Sequence, residues 1–540
     1  MKKYVEDLKY YLPLCLLLLL VFIFTWAHQG HIIVDSGREV YYPLRILDGS
    51  ILYKNLFNIY GPFAYLCNAF LFKMFGIKLS IIYLSGFFTA TCIITIIYLI
   101  SRLFFEKLLS FSISVFSIII GCFSFYIFNY IFPYSFCMTY GLLACLISLY
   151  LLILFVKNNN LYFFYISTFF AGIAISNKYE FIPYCLIYLI LLFYKKVNLK
   201  NIILGFFIFL SVPILCFEIL FYQGLTLSDL YNNLKDIYYM SQTVTLKFFY
   251  TISGLIFKKP TLGILIRNFI KTSVPFALMY GGIYYYPKFR IKSVIALFLG
   301  VIFGLKFVSE STFVFLPFLL VILFCVFYKK TSLDSKIFSF AILLMSLKVF
   351  WSTTLNSYGV FFIPVLLIAL ITYFKKDFQK TVFIYLLILS VGFTYLNINF
   401  RKEKNIPIVS EKGLIYVQKV YDKTAQDVVD YINKNTKPSD KILILPEGLF
   451  FNFLTGRKSD DYYNSFLPLY VETFGEERLI DSIKQNKPDY IFIHNFPTSN
   501  YYFKSICKDY GLSVCEFINN EYTPKDLLLN DFTVYIFSKK

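Results

Sequence analysis

Charged residues are scarce in this 540-residue chain: they make up 15% of it, whereas 58% is hydrophobic and 21% aromatic. So little charge excludes a single soluble domain, in which about a quarter of the residues are charged. Apolar runs such as 12–24, 81–103 and 341–350 are long enough, or nearly so, to cross about 30 Å of hydrocarbon as helices. The composition therefore predicts a membrane protein with many spans.

Residues that bind metals are also few. The chain has three histidines, His28, His31 and His494, and it contains neither an H-E-x-x-H nor a C-x-x-C motif. A metal centre is therefore not predicted, although binding of a divalent metal stays open, because the sequence shows no ligand set for it. The chain also lacks the G-x-G-x-x-G and G-x-x-x-x-G-K-[ST] loops that cradle phosphates, so no nucleotide site and no cofactor is predicted.

Acidic residues are rare before residue 400, where 13 of the 32 lie, against 32 of the 51 basic residues. The part that follows is neutral, so the apolar part carries the whole formal net charge of +19. In membrane proteins, lysine and arginine in the connections between spans set the orientation. The basic excess therefore indicates membrane topology and does not indicate a nucleic acid partner.

Basic connections alternate with connections that are poor in lysine and arginine, and they separate about thirteen predicted spans. An odd number of spans with a cytoplasmic N-terminus places the C-terminus outside. We predict an all-α membrane bundle over residues 1–399, with a first outer loop at 27–77, in a bacterial cytoplasmic membrane. The predicted spans are 11–26, 78–104, 107–127, 134–156, 160–176, 181–195, 201–222, 263–286, 293–308, 312–328, 337–351, 358–373 and 381–398.

The chain changes character at about residue 400, where charges recur every few residues. Amphipathic segments at 424–435 and 476–485 predict helices, and apolar segments at 441–446, 489–493 and 532–537 predict strands. This alternation predicts an extracytoplasmic α/β domain over residues 400–540 with a largely parallel sheet. Cys507 and Cys515 lie in this domain and could pair if the compartment is oxidising.

A carboxylate and an arginine follow the first apolar run, in the segment Val34-Asp35-Ser36-Gly37-Arg38-Glu39. Charges at the mouth of a membrane bundle are functional-site candidates, because burying them is costly. Asp35 could accept a proton from an acceptor hydroxyl or amine, and Arg38 could bind phosphate through its planar fork. Two other interpretations stay open: Asp35 as a solvated loop residue, and Ser36 with Glu39 as a capping box at a helix start.

Two further features accompany this segment. Residues 41–44 and 63–66 fit short helices that lie in the membrane interface. Lys178 and Glu180 interrupt two apolar spans on the side predicted for Asp35. Lys178 could offset the charge of a departing phosphate, and Glu180 could hold Lys178 or an acceptor. The alternative is a tight, charged helix hairpin without a role in binding.

Together these motifs resemble the first outer loop of GT-C glycosyltransferases of the protein mannosyltransferase and lipid A aminoarabinose transferase type. Close resemblance covers roughly residues 30 to 100. In many members an Asp and a Glu are adjacent, whereas three residues separate Asp35 from Glu39 here. The motifs that carry the resemblance are Asp35-Ser-Gly-Arg-Glu39, Arg45-Ile-Leu-Asp-Gly49, Leu52-Tyr-Lys-Asn55, Tyr60-Gly-Pro62 and Phe75-Gly76.

The resemblance implies inverting transfer of a sugar from a polyprenyl phosphate to an acceptor glycan, lipid or protein. It implies Asp35 as the base, with Glu39 as a second catalytic candidate. The substrate-binding residues that it implies are Arg38, Tyr60, Lys178, Glu180 and Tyr358. The rival function is transport or flipping of lipid-linked sugars, but such proteins typically show repeat symmetry and helices broken at the midplane.

Overall fold

The computed structural model describes residues 2–194, 197–252, 259–351, 358–419, 422–459, 462–529 and 532–540. Helices dominate these ranges up to Glu403, and strands appear only after it. The α-helices are α1 (Lys2–Thr25), α2 (Ser36–Leu47), α3 (Phe63–Phe75), α4 (Leu79–Arg102), α5 (Lys107–Gly121), α6 (Phe136–Asn158), α7 (Leu161–Ile175), α8 (Leu186–Phe193), α9 (Leu199–Tyr222), α10 (Leu227–Gln242), α11 (Val244–Ile252), α12 (Lys259–Tyr285), α13 (Arg290–Phe307), α14 (Leu316–Phe327), α15 (Leu333–Met345), α16 (Ile363–Ile371), α17 (Lys376–Glu403), α18 (Asp422–Asn435), α19 (Leu449–Thr455), α20 (Pro468–Phe474), α21 (Glu476–Asn486) and α22 (Leu512–Glu521).

Every predicted span falls on a helical segment, but the segments differ in length. Among the described residues, seven helices are long and apolar enough to cross a membrane: Asp7–Thr25, Leu79–Arg102, Phe136–Asn158, Leu199–Tyr222, Pro260–Tyr285, Glu310–Lys330 and Lys376–Glu403. The other six predicted spans fall on α5, α7, α8, α13, α15 and α16, which are shorter or more charged. Several begin as 3-10 turns, as at Tyr179–Cys185, where Pro183 has no N–H to donate. The chain is a multi-pass membrane protein with a helical bundle.

The first outer loop contains the two helices α2 and α3, close to where the sequence predicts them. Most of α2 is buried, including Glu39 and Tyr41, because the helix lies against both α3 and α19. Gly37 permits the close approach to α19: a Cβ there would lie 2.6 Å from the backbone nitrogen of Phe450. Helix α19 of the C-terminal region therefore covers one side of α2.

The described residues of the C-terminal region form six strands: β1 (Lys404–Ser410), β2 (Gly413–Gln418), β3 (Ile442–Leu445), β4 (Tyr490–His494), β5 (Tyr522–Leu529) and β6 (Thr533–Lys539). Strands β1 and β2 form a hairpin, and the other four form a sheet in the order β3-β4-β6-β5. The prediction of a largely parallel sheet is wrong, because only β3 and β4 pair in parallel. Three residues separate β5 from β6, which is too short for a crossover and forces an antiparallel pair. Cys507 and Cys515 form a disulfide.

The C-terminal region packs directly on the bundle and the outer loop. The hydroxyl of Tyr41 donates to the carbonyl of Ser459 at 3.0 Å and accepts from its N–H at 2.6 Å. The buried ammonium of Lys404 donates to the carbonyls of His28 at 3.0 Å and Gly30 at 2.7 Å. One hydrophobic core includes buried residues from both sides of residue 400. The candidate site lies at this junction.

Candidate functional site

A small hydrogen-bonded turn presents Asp35 at the start of α2. The Nδ1 of His31 accepts from the N–H groups of Ile33 at 3.2 Å and Val34 at 3.0 Å. The Oγ of Ser36 accepts from the N–H of His31 at 2.9 Å. Asp35 itself has a φ of 57°, which is uncommon for a residue other than glycine. Such backbone strain persists only where the surroundings fix it, and it concentrates at functional sites.

Asp35 has a cation and another carboxyl group as neighbours. Its Oδ1 is 3.6 Å from the Nη2 of Arg38. Its backbone N–H donates to the Oε1 of Glu447 at 3.3 Å. Burial raises the pKa of Asp35, and the charges of Arg38 and Lys178 oppose that rise. The side chain is still 31% exposed, so a substrate can reach it.

Glu447 comes from the C-terminal region, two residues after the end of β3. Its backbone carbonyl lies 2.8 Å from the Nε2 of His494 on β4, which fixes the loop. Burial and the neighbouring Asp35 raise the pKa of Glu447 to about 8. The raised pKa favours the protonated form of Glu447 at neutral pH.

Arg38 and Glu39 form a buried pair beside Asp35. The Nε of Arg38 donates to the Oε1 of Glu39 at 3.1 Å, and its Nη2 donates to the carbonyl of Tyr134 at 3.1 Å. Glu39 is fully buried, and it also accepts from the hydroxyl of Tyr65 at 3.2 Å and from the N–H of Phe136 at 2.7 Å. Burial raises the pKa of Glu39, and Arg38 opposes that rise. The capping-box interpretation is wrong, because the Glu39 carboxylate bonds to α3 and α6 and not to the start of its own helix.

Lys178 lies next to the Tyr60 ring, in the connection between α7 and the 3-10 turn at Tyr179–Cys185. Its Nζ is 4.9 Å from the centre of that ring, and the guanidinium of Arg38 is also 4.9 Å from it. The Nζ lies 3.5 Å from the Oε1 of Glu180, whose Oε2 is 3.4 Å from the Nζ of Lys348. Burial lowers the pKa of Lys178 to about 8. Two ammonium groups thus share one carboxylate.

The structure brings together most of the predicted residues. Asp35, Arg38, Tyr60 and Lys178 form one cluster, with Glu39 behind Arg38 and Glu180 beside Lys178. Tyr358 begins a short 3-10 helix, Tyr358–Phe361, and its side chain lies outside the described residues. Among the residues that the structure describes, no group of three or more His, Cys, Asp or Glu side chains is arranged to hold a metal ion.

Sequence reasoning missed two charged residues of this cluster, Glu447 and Lys348. Glu447 follows a buried strand and precedes Gly448, and the carboxyl ends of parallel strands are where ligands bind in open α/β sheets. That signal was present in the sequence. Lys348 lies in an apolar segment, where an unexplained charge is also a signal.

The cluster combines a partly exposed carboxylate with two cations on one aromatic ring. A carboxylate can accept a proton from a bound nucleophile. Cations placed in a site with little water stabilise negative charge that develops on a leaving group. The arrangement thus suits displacement of an anionic leaving group by an O–H or N–H nucleophile.

Sequence comparison matches the chain to no protein-family model and to no curated relative. Solved structures do match it. The oligosaccharyltransferase of Archaeoglobus fulgidus in its apo form shares 11% identity at a TM-score of 0.50, over 98% of this chain and 74% of that one. ArnT from Cupriavidus metallidurans in the apo state shares 11% identity at a TM-score of 0.48, over 97% of each chain. The resemblance to GT-C membrane glycosyltransferases is confirmed as a likeness of fold.

Proposed function

We propose that this chain is a membrane glycosyltransferase that moves a sugar from a polyprenyl phosphate to an acceptor outside the cytoplasm. The observation that carries the proposal is the cluster of Asp35, Arg38 and Lys178 around the Tyr60 ring. A base and two cations are the groups that this reaction needs. A solved structure of similar fold is an oligosaccharyltransferase, which supports sugar transfer.

Lys178 and Arg38 would bind the donor phosphate, each in its own way. Lys178 is a point charge, and Glu180 and the Tyr134 hydroxyl fix its position. Arg38 is held by Glu39 and by the Tyr134 carbonyl, so its fork is preorganised. In this proposal Glu39 positions Arg38 and does not itself move a proton.

The positions of these side chains define the steps of the proposed reaction. The acceptor hydroxyl or amine gives its proton to Asp35 while its oxygen or nitrogen bonds to the anomeric carbon. The bond from that carbon to the phosphate oxygen breaks, and its electron pair leaves with polyprenyl phosphate. Attack opposite the leaving group inverts the anomeric carbon. Phosphate is a good leaving group, so no second acid is needed, unlike in glycoside hydrolysis with two flanking carboxyls.

The test supplies the purified full chain in lipid nanodiscs with radiolabelled sugar on either undecaprenyl phosphate or a nucleotide. We expect the chain to cleave the sugar from the lipid donor and to leave the nucleotide sugar intact. Cleavage of the nucleotide sugar alone would overturn the proposal. Movement of the intact lipid-linked sugar across a vesicle membrane, without bond cleavage, would favour a flippase.

A further inference from the structure

Helix α10 follows the membrane-crossing helix α9 after a short turn. Helix α9 ends at Tyr222, and α10 begins at Leu227. The first outer loop holds this turn, because the Nζ of Lys54 donates to the carbonyl of Gly224 at 2.8 Å and lies 3.8 Å from the Oδ2 of Asp229. Since α9 is long and apolar enough to cross the membrane, α10 begins close to the end of the hydrocarbon.

One face of α10 packs on the rest of the protein. Asn233 and Asp236 are buried on this face. The Oδ1 of Asn233 accepts from the N–H of Asn58 at 3.1 Å, and its Nδ2 donates to the Asn58 carbonyl at 2.8 Å. The guanidinium of Arg478 on α21 donates to both carboxylate oxygens of Asp236, at 3.1 and 3.3 Å. These bonds fix the rotation of α10 about its own axis, and so they fix which side chains point outward.

A second face of α10 is apolar and exposed. Four large side chains recur on it at intervals of three and four residues and form one stripe, the α10 stripe. Its members, with their exposed fractions, are Leu227 (75%), Tyr231 (66%), Leu234 (49%) and Tyr238 (63%). At a rise of about 1.5 Å per residue the stripe is about 17 Å long. A contiguous apolar surface of this kind marks an interaction site and is unfavourable in water.

A third face of α10 is polar and exposed. Ser228, Asn232 and Lys235 each follow a stripe residue by one position, so they lie about 100° around the helix from it. The two acids of α10, Asp229 and Asp236, pair with cations of other segments, whereas Lys235 points outward. The outward surface thus separates an apolar strip from a polar strip with a positive charge. This division is typical of helices that lie between hydrocarbon and anionic headgroups.

We propose that α10 lies along the outer surface of the membrane, with the α10 stripe in the lipid and Lys235 among the phosphates of anionic headgroups. Continuity with α9 selects lipid as the partner. Exposed side chains of α9, such as Phe207 and Ile219, face the hydrocarbon, and the stripe extends that apolar surface past the turn. Tyrosine suits this depth, because its ring is apolar and its hydroxyl reaches water.

The lipid contact also sets the depth of the candidate site. On its buried face α10 is bonded to Asn58, whose Nδ2 donates to the carbonyl of Tyr60 at 2.8 Å. The Tyr60 ring carries the guanidinium of Arg38 and the ammonium of Lys178. A helix held at headgroup level therefore keeps these two cations near the level of a lipid-linked phosphate. This consequence rests on the proposed function, whereas the lipid contact itself does not.

The test introduces the photoreactive residue p-benzoylphenylalanine at one position at a time in the full chain, in vesicles of phosphatidylethanolamine and phosphatidylglycerol. Tyr231→p-benzoylphenylalanine probes the stripe. Asn232→p-benzoylphenylalanine, on the polar face, is the matched control, and Phe207→p-benzoylphenylalanine, on α9, is the lipid reference. After irradiation, intact-mass spectrometry separates lipid adducts from crosslinked chains. We expect a lipid adduct yield at position 231 similar to that at 207 and about fivefold above that at 232.

Two outcomes would overturn the inference. The first is an equal lipid adduct yield at positions 231 and 232. The second is crosslinking between two chains at position 231 in place of lipid adducts, because a second copy of the chain would then cover the stripe.

Charged variants give an independent measurement that needs no photoreactive residue. Leu234→Glu places a carboxylate in the stripe, where lipid disfavours it. It should lower the Tm of the chain in vesicles by more than Asn232→Glu does on the polar face of the same helix. Equal shifts in Tm would contradict the lipid contact. Neither measurement uses sugar transfer, so a failure of the lipid contact is distinguishable from a failure of the glycosyltransferase function.

Discussion

Replacing Lys178 with methionine tests the donor site most directly. The side chain is 4% exposed, and its Nζ contacts the Oε1 of Glu180 at 3.5 Å and the hydroxyl of Tyr134. Methionine has a similar length and removes the charge together with these two contacts. At an effective dielectric constant of about 20, two unit charges about 4 Å apart interact by about 4 kcal/mol. Glu180 already offsets part of the ammonium charge, which leaves about 3 kcal/mol for the leaving phosphate. We therefore expect a loss of about 10²-fold in rate.

The assay is single-turnover release of radiolabelled sugar from undecaprenyl phosphate by the purified chain. Lys157→Met is the matched control, because Lys157 also lies over an aromatic ring, 5.0 Å from Phe104, and pairs with Asp334 at 3.5 Å. Its connection is predicted on the cytoplasmic side, so its loss should change the rate by less than twofold. A rate for Lys178→Met above half that of wild type would refute the reasoning, as would an equal loss in the control.

The same residue predicts a pH dependence. Burial disfavours the charged form and lowers the pKa of Lys178 to about 8. The ammonium is therefore present below that pH and lost above it, so the wild-type rate should fall as pH rises through about 8. Lys178→Arg keeps its charge in this range. It should retain part of the activity at pH 7 and show a shallower fall at high pH, and an unchanged profile would contradict this assignment.

Three other predictions follow from the cluster and the topology. Asp35→Asn should lower transfer by at least about 10²-fold without loss of folding, and near-normal turnover of the purified variant would exclude Asp35 as the base. Glu39→Gln should lower the free energy of unfolding by about 3 kcal/mol, seen by denaturation in mixed micelles, because Arg38 loses a buried partner. Alkaline phosphatase fused after Lys540 should be active, and an expressed but inactive fusion would contradict the outside location of the C-terminal region.

The sequence predicts elements well where periodicity is strong and poorly where an element is exposed. Helices α18 and α21 and strands β3, β4 and β6 lie close to their predicted places, because amphipathic or continuous apolar patterns mark them. Strand β5 carries Pro524, Lys525 and Asp526 and is almost wholly exposed. An edge strand of this kind shows no alternation, so nothing in its sequence distinguishes it from a loop.

The candidate site shows a similar division. Asp35, Arg38 and Lys178 stand out because they are charges next to apolar runs. Their partners are harder to predict: Asp35 and Glu447 are 412 residues apart in the chain, and only the tertiary fold brings them together. The pairing of Glu39 with Tyr65 and Phe136 likewise depends on helix packing, which a local capping motif cannot reveal.

The hydrogen bond between Asp35 and Glu447 also has a consequence for the order of synthesis. Asp35 leaves the ribosome 412 residues before Glu447 does. Ser459, whose backbone forms two hydrogen bonds with the Tyr41 hydroxyl, is synthesised later still. Throughout that interval α2 lacks its cover, and the turn that holds Asp35 lacks the carboxyl group that accepts its N–H. The nascent bundle can therefore enter the membrane while the surroundings of Asp35 are still incomplete, and the last fifth of the chain completes them.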